Sequence, residues 1–479
     1  MLMRIGSGAA LVGVANLVSS ASLFAVSVAV GRSAGATNLG RYGLLVVVGT
    51  FFGGIIDFGT DRILTERLAQ RSAHWIAAWW AVVLFKGCAI VVAFVLGFAV
   101  LQMQHAVFAL LIVAQGASVT ATLTAQAMGA ALHRLPALAI TRGVGRAVAV
   151  AGVGWMIGTH VAPGSVVANS IVFVSVADLI GVAFLGVWVF RPELGRLDRQ
   201  PWSQASVWTA VRAGLPLGIS SLAIWLYLKL DTLILAAVSD LSTLGAYTGA
   251  VRIAELLGGI PAALNAVVLT AFADLWSQDA RRFQLARDAV LAATTLGMGF
   301  VCMVLFLLAG PVVDATFHLA EVTVYVRPLV WGQVFAAAGV ICSASLQVSK
   351  RSGAVAHIAL LVALLSIPTY IFLISFFGAF GAAVGTTALY SAILPIGLLL
   401  PASRQTFLPL LADATALTLS LLAAFATLVI AQHGGPIPLG FQVAIASVAY
   451  IAVAACCLPF LIHRSRGSGA RHPEDRPLP

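Results

Sequence analysis

Leu39-Gly40-Arg41-Tyr42 returns as Leu244-Gly245-Ala246-Tyr247, and Gly53-Gly54-Ile55 returns as Gly258-Gly259-Ile260. Both matches share one offset of 205 residues, which marks a duplication rather than two coincidences. Each copy lies inside long apolar stretches. Of the 479 residues 61% are hydrophobic and 9% charged, against about 25% charged in an ordinary soluble domain. A water-soluble globular protein is excluded. A bilayer core of about 30 Å needs about 20 apolar residues per crossing helix. A membrane β-barrel would alternate apolar and polar positions, whereas Ala89 to Val100 is apolar on every face. The chain reads as an all-α polytopic membrane protein.

Charges, prolines and polar turns delimit fourteen apolar spans, at 8–31, 42–60, 76–101, 106–131, 138–160, 165–190, 213–238, 244–273, 285–309, 323–347, 354–376, 379–401, 407–432 and 438–462. Six spans fall in each copy of the repeat. An even number makes both copies enter the membrane in the same direction, a parallel repeat about an axis along the membrane normal. The expected organisation is a six-helix lobe over 1–200, a second over 201–404, two additional spans over 405–463 and a disordered cytoplasmic tail over 464–479.

The net charge of +10 is a topology signal. With both termini cytoplasmic, 19 of the 27 basic residues fall on cytoplasmic segments, while external segments hold Arg32, Arg41 and Arg327. This is the positive-inside distribution, so no nucleic-acid partner is expected. The apolar stretch after Arg4 exceeds the 7–15 residues of a cleaved leader's core, and reads as a retained first span. Cys88, Cys302, Cys342, Cys456 and Cys457 lie in apolar surroundings without a CxxC pair, as small core residues do.

The chain has no phosphate-binding GxxxxGK[ST], HExxH or GxSxG motif, and no loop long enough for a catalytic domain. No enzymatic activity, cofactor or metal is expected. What stands out instead is charge inside spans, where it is expensive and faces a cavity, a partner or the interface. Arg252 and Glu255 share a face of the eighth span at i, i+3, and Lys229 and Asp231 reach a similar depth on the seventh. They read either as a cationic wall with acids able to take a coupling ion, or as a buried ion-pair cluster that fixes packing. Arg146 lies one turn deeper than Arg142 on the fifth span; snorkelling to lipid phosphates accounts for Arg142. Lys86 sits mid-way along the third span, too deep to snorkel easily. Asp57 is placed to pair with Arg62, and Asp178 either lines a cavity or partners Lys86. Trp75, Trp79 and Trp80 suit an interfacial aromatic belt, while Trp225 and Tyr227 pack a core or stack on sugar rings.

The repeat residues also carry a resemblance. Gly31 to Tyr42 (GRSAGATNLGRY) followed by Asp57-Phe58-Gly59, then Leu215-Pro216, Lys229-Leu230-Asp231, Leu244 to Glu255 (LGAYTGAVRIAE) and Phe377 to Ala383 (FGAFGAA) resemble the bacterial polysaccharide transporter family of the multidrug/oligosaccharidyl-lipid/polysaccharide flippase superfamily. The resemblance spans about residues 5–400. It implies two lobes around a central cavity, in the bacterial cytoplasmic membrane, that move undecaprenyl-diphosphate-linked oligosaccharides outward for O-antigen, capsule or exopolysaccharide assembly. It further implies a polysaccharide polymerase and other assembly proteins as partners. Arg252, Lys229, Lys86, Arg146 and Arg142 would then face the diphosphate, and Asp231, Glu255, Asp178 and Asp57 would serve ion coupling. Lipid II flippases and cation-coupled multidrug antiporters are the competing relatives. Both usually carry charge in the first span, whereas Ser7 to Val30 has none.

Overall fold

The computed structural model describes residues 2–57, 60–69, 79–80, 82–88, 90–91, 106–132, 134–159, 163–195, 212, 223–433 and 437–467. In chain order the helices are α1 (Leu2–Asp57), α2 (Thr60–Ala69), α3 (described over 79–91 in part), α4 (Ala106–Ala131), α5 (Leu135–Gly158) and α6 (Pro163–Phe184). Helix α6 runs on through a π turn at Leu185–Phe190 to Leu194. The second half holds α7 (223–238), α8 (Leu241–Gln278), α9 (Ala280–Thr316), α10 (Ala320–Val348) and α11 (Ser352–Leu399). Two further helices, α12 (Pro401–Gln432) and α13 (Leu439–Gly467), follow. The described residues contain no strand, and nine of their helices are long and apolar enough to cross a membrane.

Two of those nine are double crossings. Helix α1 has 56 residues and α11 has 48, far more than the roughly 20 that one crossing takes. Each carries one glycine with a positive φ, which glycine adopts most readily, Gly35 at φ 79° and Gly378 at φ 57°. At Gly378 the chain folds back on itself. The Tyr370 hydroxyl lies 3.0 Å from Thr386 Oγ1, although sixteen residues of straight helix would cover about 24 Å. At Gly35 the fold-back brings the Leu39 side chain against Gly31. The loops expected at 32–41 and 377–378 are thus single-residue reversals, because one glycine supplies the whole change of direction. The third span, 76–101, and the start of the seventh, 213–222, lie largely outside the described residues, as do Trp75, Leu215-Pro216 and the tail beyond Gly467.

The duplication is visible in the packing. Helix α1 makes its broadest contact with α8, its counterpart in the second half. A Cβ on Gly40 would strike the carbonyl of Leu241, and a Cβ on Gly245 would strike the carbonyl of Ala36. Lower down, Gly54 abuts Trp225 and Gly259 abuts Ser20. Every member of these contacts is related to its mirror contact by the same 205-residue offset. A two-fold axis therefore passes between Gly40 and Gly245, as a parallel repeat requires. Glycine is needed there because the two backbones touch. Helices α12 and α13 pack on each other and on α9.

Candidate functional site: a charged cavity between the halves

Below the glycine contact the two halves part to enclose a cavity of about 460 Å³. From the second half it receives Lys229 and Asp231 of α7, Arg252 and Glu255 of α8, Gln333 of α10, and Thr386 and Tyr390 of α11. The first half supplies Gln115, Thr122 and Gln126 of α4, Arg146 of α5 and Asp178 of α6. Arg146 and Glu255, 109 residues apart in sequence, thus share one chamber.

Within it the charges are ordered. Glu255 divides its carboxylate between two cations: Lys229 Nζ donates to Oε1 at 2.7 Å and Arg252 Nη1 to Oε2 at 2.5 Å. Two cations on one carboxylate leave this group one positive charge in excess. Arg146 Nη2 donates to Asp178 Oδ2 at 2.8 Å, both side chains being buried. Asp231 is held by hydroxyl and amide donors instead of a cation: the Tyr247 hydroxyl at 2.6 Å, the Thr232 amide at 2.7 Å and the Thr386 hydroxyl at 3.3 Å. Arg146 Nε and Nη1 and Arg252 Nε are buried with no hydrogen-bond partner among the described residues. An unmade hydrogen bond of that kind costs about 1–3 kcal/mol, which an anion's oxygens in the chamber would recover.

Of the two readings open for Asp178, the cavity lining is the one found. Asp178 joins Arg146, not Lys86, because α5 and α6 are antiparallel neighbours at that level. Asp57 reaches Lys86 at 2.9 Å, while the side chain of Arg62, its expected partner, lies outside the described residues. Lys86 also donates to Asp61 at 2.8 Å and to Thr124 at 2.7 Å. This cluster borders a second cavity of about 820 Å³, lined also by Trp79, Trp80 and Arg191, apart from the central one. Arg142 lies on α5, with its side chain outside the described residues. The structure therefore brings together Arg252, Lys229, Arg146, Asp231, Glu255 and Asp178, and sets Lys86 and Asp57 elsewhere. Sequence reasoning passed over Gln115, Gln126, Gln333 and Tyr390. The signal was present as amides within apolar runs, such as Leu111-Ile112-Val113-Ala114-Gln115.

Residues 5–276 match the family described as polysaccharide biosynthesis protein, a match over more than half of the chain. The chain belongs to that family. Among solved structures, it is similar to the lipid II flippase MurJ in an inward closed conformation, with a TM-score of 0.67 and 12% identity over 94% of this chain and 99% of that one. It is also similar to an inward-facing multidrug resistance MATE transporter of the MOP superfamily, with a TM-score of 0.58 and 14% identity over 84% and 95%. A Vibrio cholerae MATE transporter, VcmN, gives 0.57 and 12% over 82% and 96%. A comparison with curated proteins finds no match. These likenesses show a fold shared with MurJ and the MATE transporters. With nine described helices long and apolar enough to cross a membrane, the chain is a multi-pass membrane protein of that family.

Proposed function

We propose that the chain is a flippase that carries undecaprenyl-diphosphate-linked oligosaccharide units across the bacterial cytoplasmic membrane by alternating access, for O-antigen, capsule or exopolysaccharide synthesis. The observation that carries this reading is a chamber shared by both halves in which Lys229 and Arg252 share a single carboxylate and three guanidinium nitrogens of Arg146 and Arg252 have no hydrogen-bond partner among the described residues. Lys229 and Arg252 on one side and Arg146 on the other offer charge-assisted donors to a diphosphate. Gln115, Gln126 and Gln333 offer amides of the kind that hydrogen-bond sugar hydroxyls, and the Trp225 ring faces the same chamber. The absence of charge in Ser7 to Val30 favours this substrate over those of lipid II flippases and multidrug antiporters.

In this reading residues 1–200 and 201–404 rock as two lobes about the Gly40–Gly245 contact, while 405–463 form two accessory spans. Both termini are cytoplasmic. Asp231, Glu255 and Asp178 are the coupling acids of the chamber. Lys86, hydrogen-bonded to Asp61 and Thr124 and ion-paired with Asp57, ties α3 to α1, α2 and α4, and Arg142 meets lipid phosphates. A polysaccharide polymerase and other assembly proteins receive the product. The test is reconstitution into vesicles with a fluorescent undecaprenyl-diphosphate oligosaccharide, read by a lectin that meets only the outer leaflet. Translocation dependent on the protein is expected; translocation of a drug cation but not of the oligosaccharide would overturn the assignment.

A further inference from the structure

We infer that Glu255 is the resident anion of the phosphate subsite, exchanged for the substrate's diphosphate with uptake of one proton onto the displaced carboxylate. The inference rests on the function proposed above and deepens it. Its basis is the order of the three side chains. Glu255 is 36% exposed, Lys229 16% and Arg252 7%, so the carboxylate faces the chamber with both cations behind it. A ligand in the chamber meets Glu255 first. Its two oxygens, one on each cation, occupy the places that two oxygens of a diphosphate would take.

Glu255 and Arg252 share one face of α8 at i, i+3, so a rotamer change of Glu255 vacates the cations without moving the helix. The carboxylate that swings out then finds little to support its charge. Besides Lys229 and Arg252, now turned to the ligand, the charged groups lining the chamber are Arg146, whose charge Asp178 balances, and Asp231, which is itself acidic; Tyr390, Gln115, Gln126 and Gln333 are neutral. Beside a diphosphate, with Lys229 and Arg252 turned to the ligand and the charge of Arg146 balanced by Asp178, a carboxylate is favoured in its protonated form. The balance is simple: one proton moves from water to a Glu255 oxygen as the substrate binds, and no covalent bond to the substrate changes. On the far side of the membrane the proton leaves, the carboxylate regains Lys229 and Arg252, and the diphosphate is expelled. One acid thus serves both as competitor for the cations and as carrier of a proton that crosses outward with the diphosphate and offsets one of its charges.

The test is calorimetric titration of the purified full-length protein with inorganic pyrophosphate at pH 7, in two buffers of different ionisation enthalpy. Pyrophosphate titrates alike with every variant, so differences between variants report the protein. Wild type is expected to take up about one proton more than Glu255→Gln on binding, and Glu255→Gln to bind at least tenfold tighter. Should Glu255→Gln not reach the membrane, Glu255→Asp serves: one methylene shorter, it cannot hold both cations, and is expected to bind several-fold tighter with proton uptake retained. Equal affinity and equal proton uptake in wild type and Glu255→Gln, with binding lost in Arg252→Gln, would overturn the role of Glu255 and leave the phosphate site standing. Absence of pyrophosphate binding in wild type and Glu255→Gln alike would overturn both.

Discussion

Gly40 and Gly245 meet back to back across the two-fold axis, each so close that a Cβ would run into the other helix's backbone. Backbone cannot yield as a flexible side chain does. Overpacking a close contact costs about 1–3 kcal/mol, so Gly40→Ala and Gly245→Ala should each lower the melting temperature in detergent. Because the contact is symmetric, the two variants should lose similar amounts. Substituting Gly154, which has open space around its Cβ position, should leave it unchanged.

The reversals at Gly35 and Gly378 make a different prediction. Nothing stands within 4 Å of a Cβ at either position, so Gly378→Ala pays only for the backbone conformation, about 1–3 kcal/mol. Gly378→Asn, which tolerates positive φ better, should lose less than Gly378→Ala. The comparison is read from thermal unfolding of the three proteins side by side.

These glycines also show how far the sequence could be read. The repeat at Gly40 and Gly245, the parallel lobes and the apolar spans were legible, because hydropathy and duplication are properties of the chain itself. The break around Gly35 was legible too, since Arg32, Ser33, Asn38 and Arg41 interrupt the apolar run, but that one residue makes the whole turn was not. Arg252 with Glu255 could be paired from their spacing on one helix. Arg146 with Asp178, and Lys86 with Asp57 and Asp61, could not, because helix neighbours in space are set by tertiary packing. The cavity's amides were overlooked since Gln115 and Gln333 carry no charge to draw attention within their spans.

The Arg146–Asp178 pair invites a double-mutant cycle. Removing one member of a buried pair leaves the other charge in the membrane without that partner, at a cost of up to about 3–5 kcal/mol. Arg146→Ala and Asp178→Ala should therefore each destabilise more than the double substitution does. Additive losses would show that the two side chains act independently.

At the start of α9, Asp279 accepts from the amides of Arg281 and Arg282 at 2.8 and 3.2 Å. These hydrogen bonds, with the two arginine charges, hold its carboxyl below the ordinary value of 3.8. A depressed acid contributes stability above its unfolded pKa and loses it as pH falls through the folded one. The melting-temperature gap between wild type and Asp279→Ala should be full at pH 7. It should then narrow as the pH drops below about 4. Asp240 caps α8 in the same way through Ser242 and Thr243, and the Asp240→Ala gap should follow the same course.

The central claim is that the cations of the shared chamber move a lipid-linked oligosaccharide. Its most direct measurement is surface polysaccharide together with accumulated lipid-linked intermediate, in a strain lacking the protein and complemented with wild type or Arg252→Ala at matched membrane abundance. The account predicts loss of polymer and accumulation of inward-facing intermediate in the deletion, reversed by wild type and not by Arg252→Ala. Normal polymer in the deletion strain, or full rescue by Arg252→Ala, would contradict it.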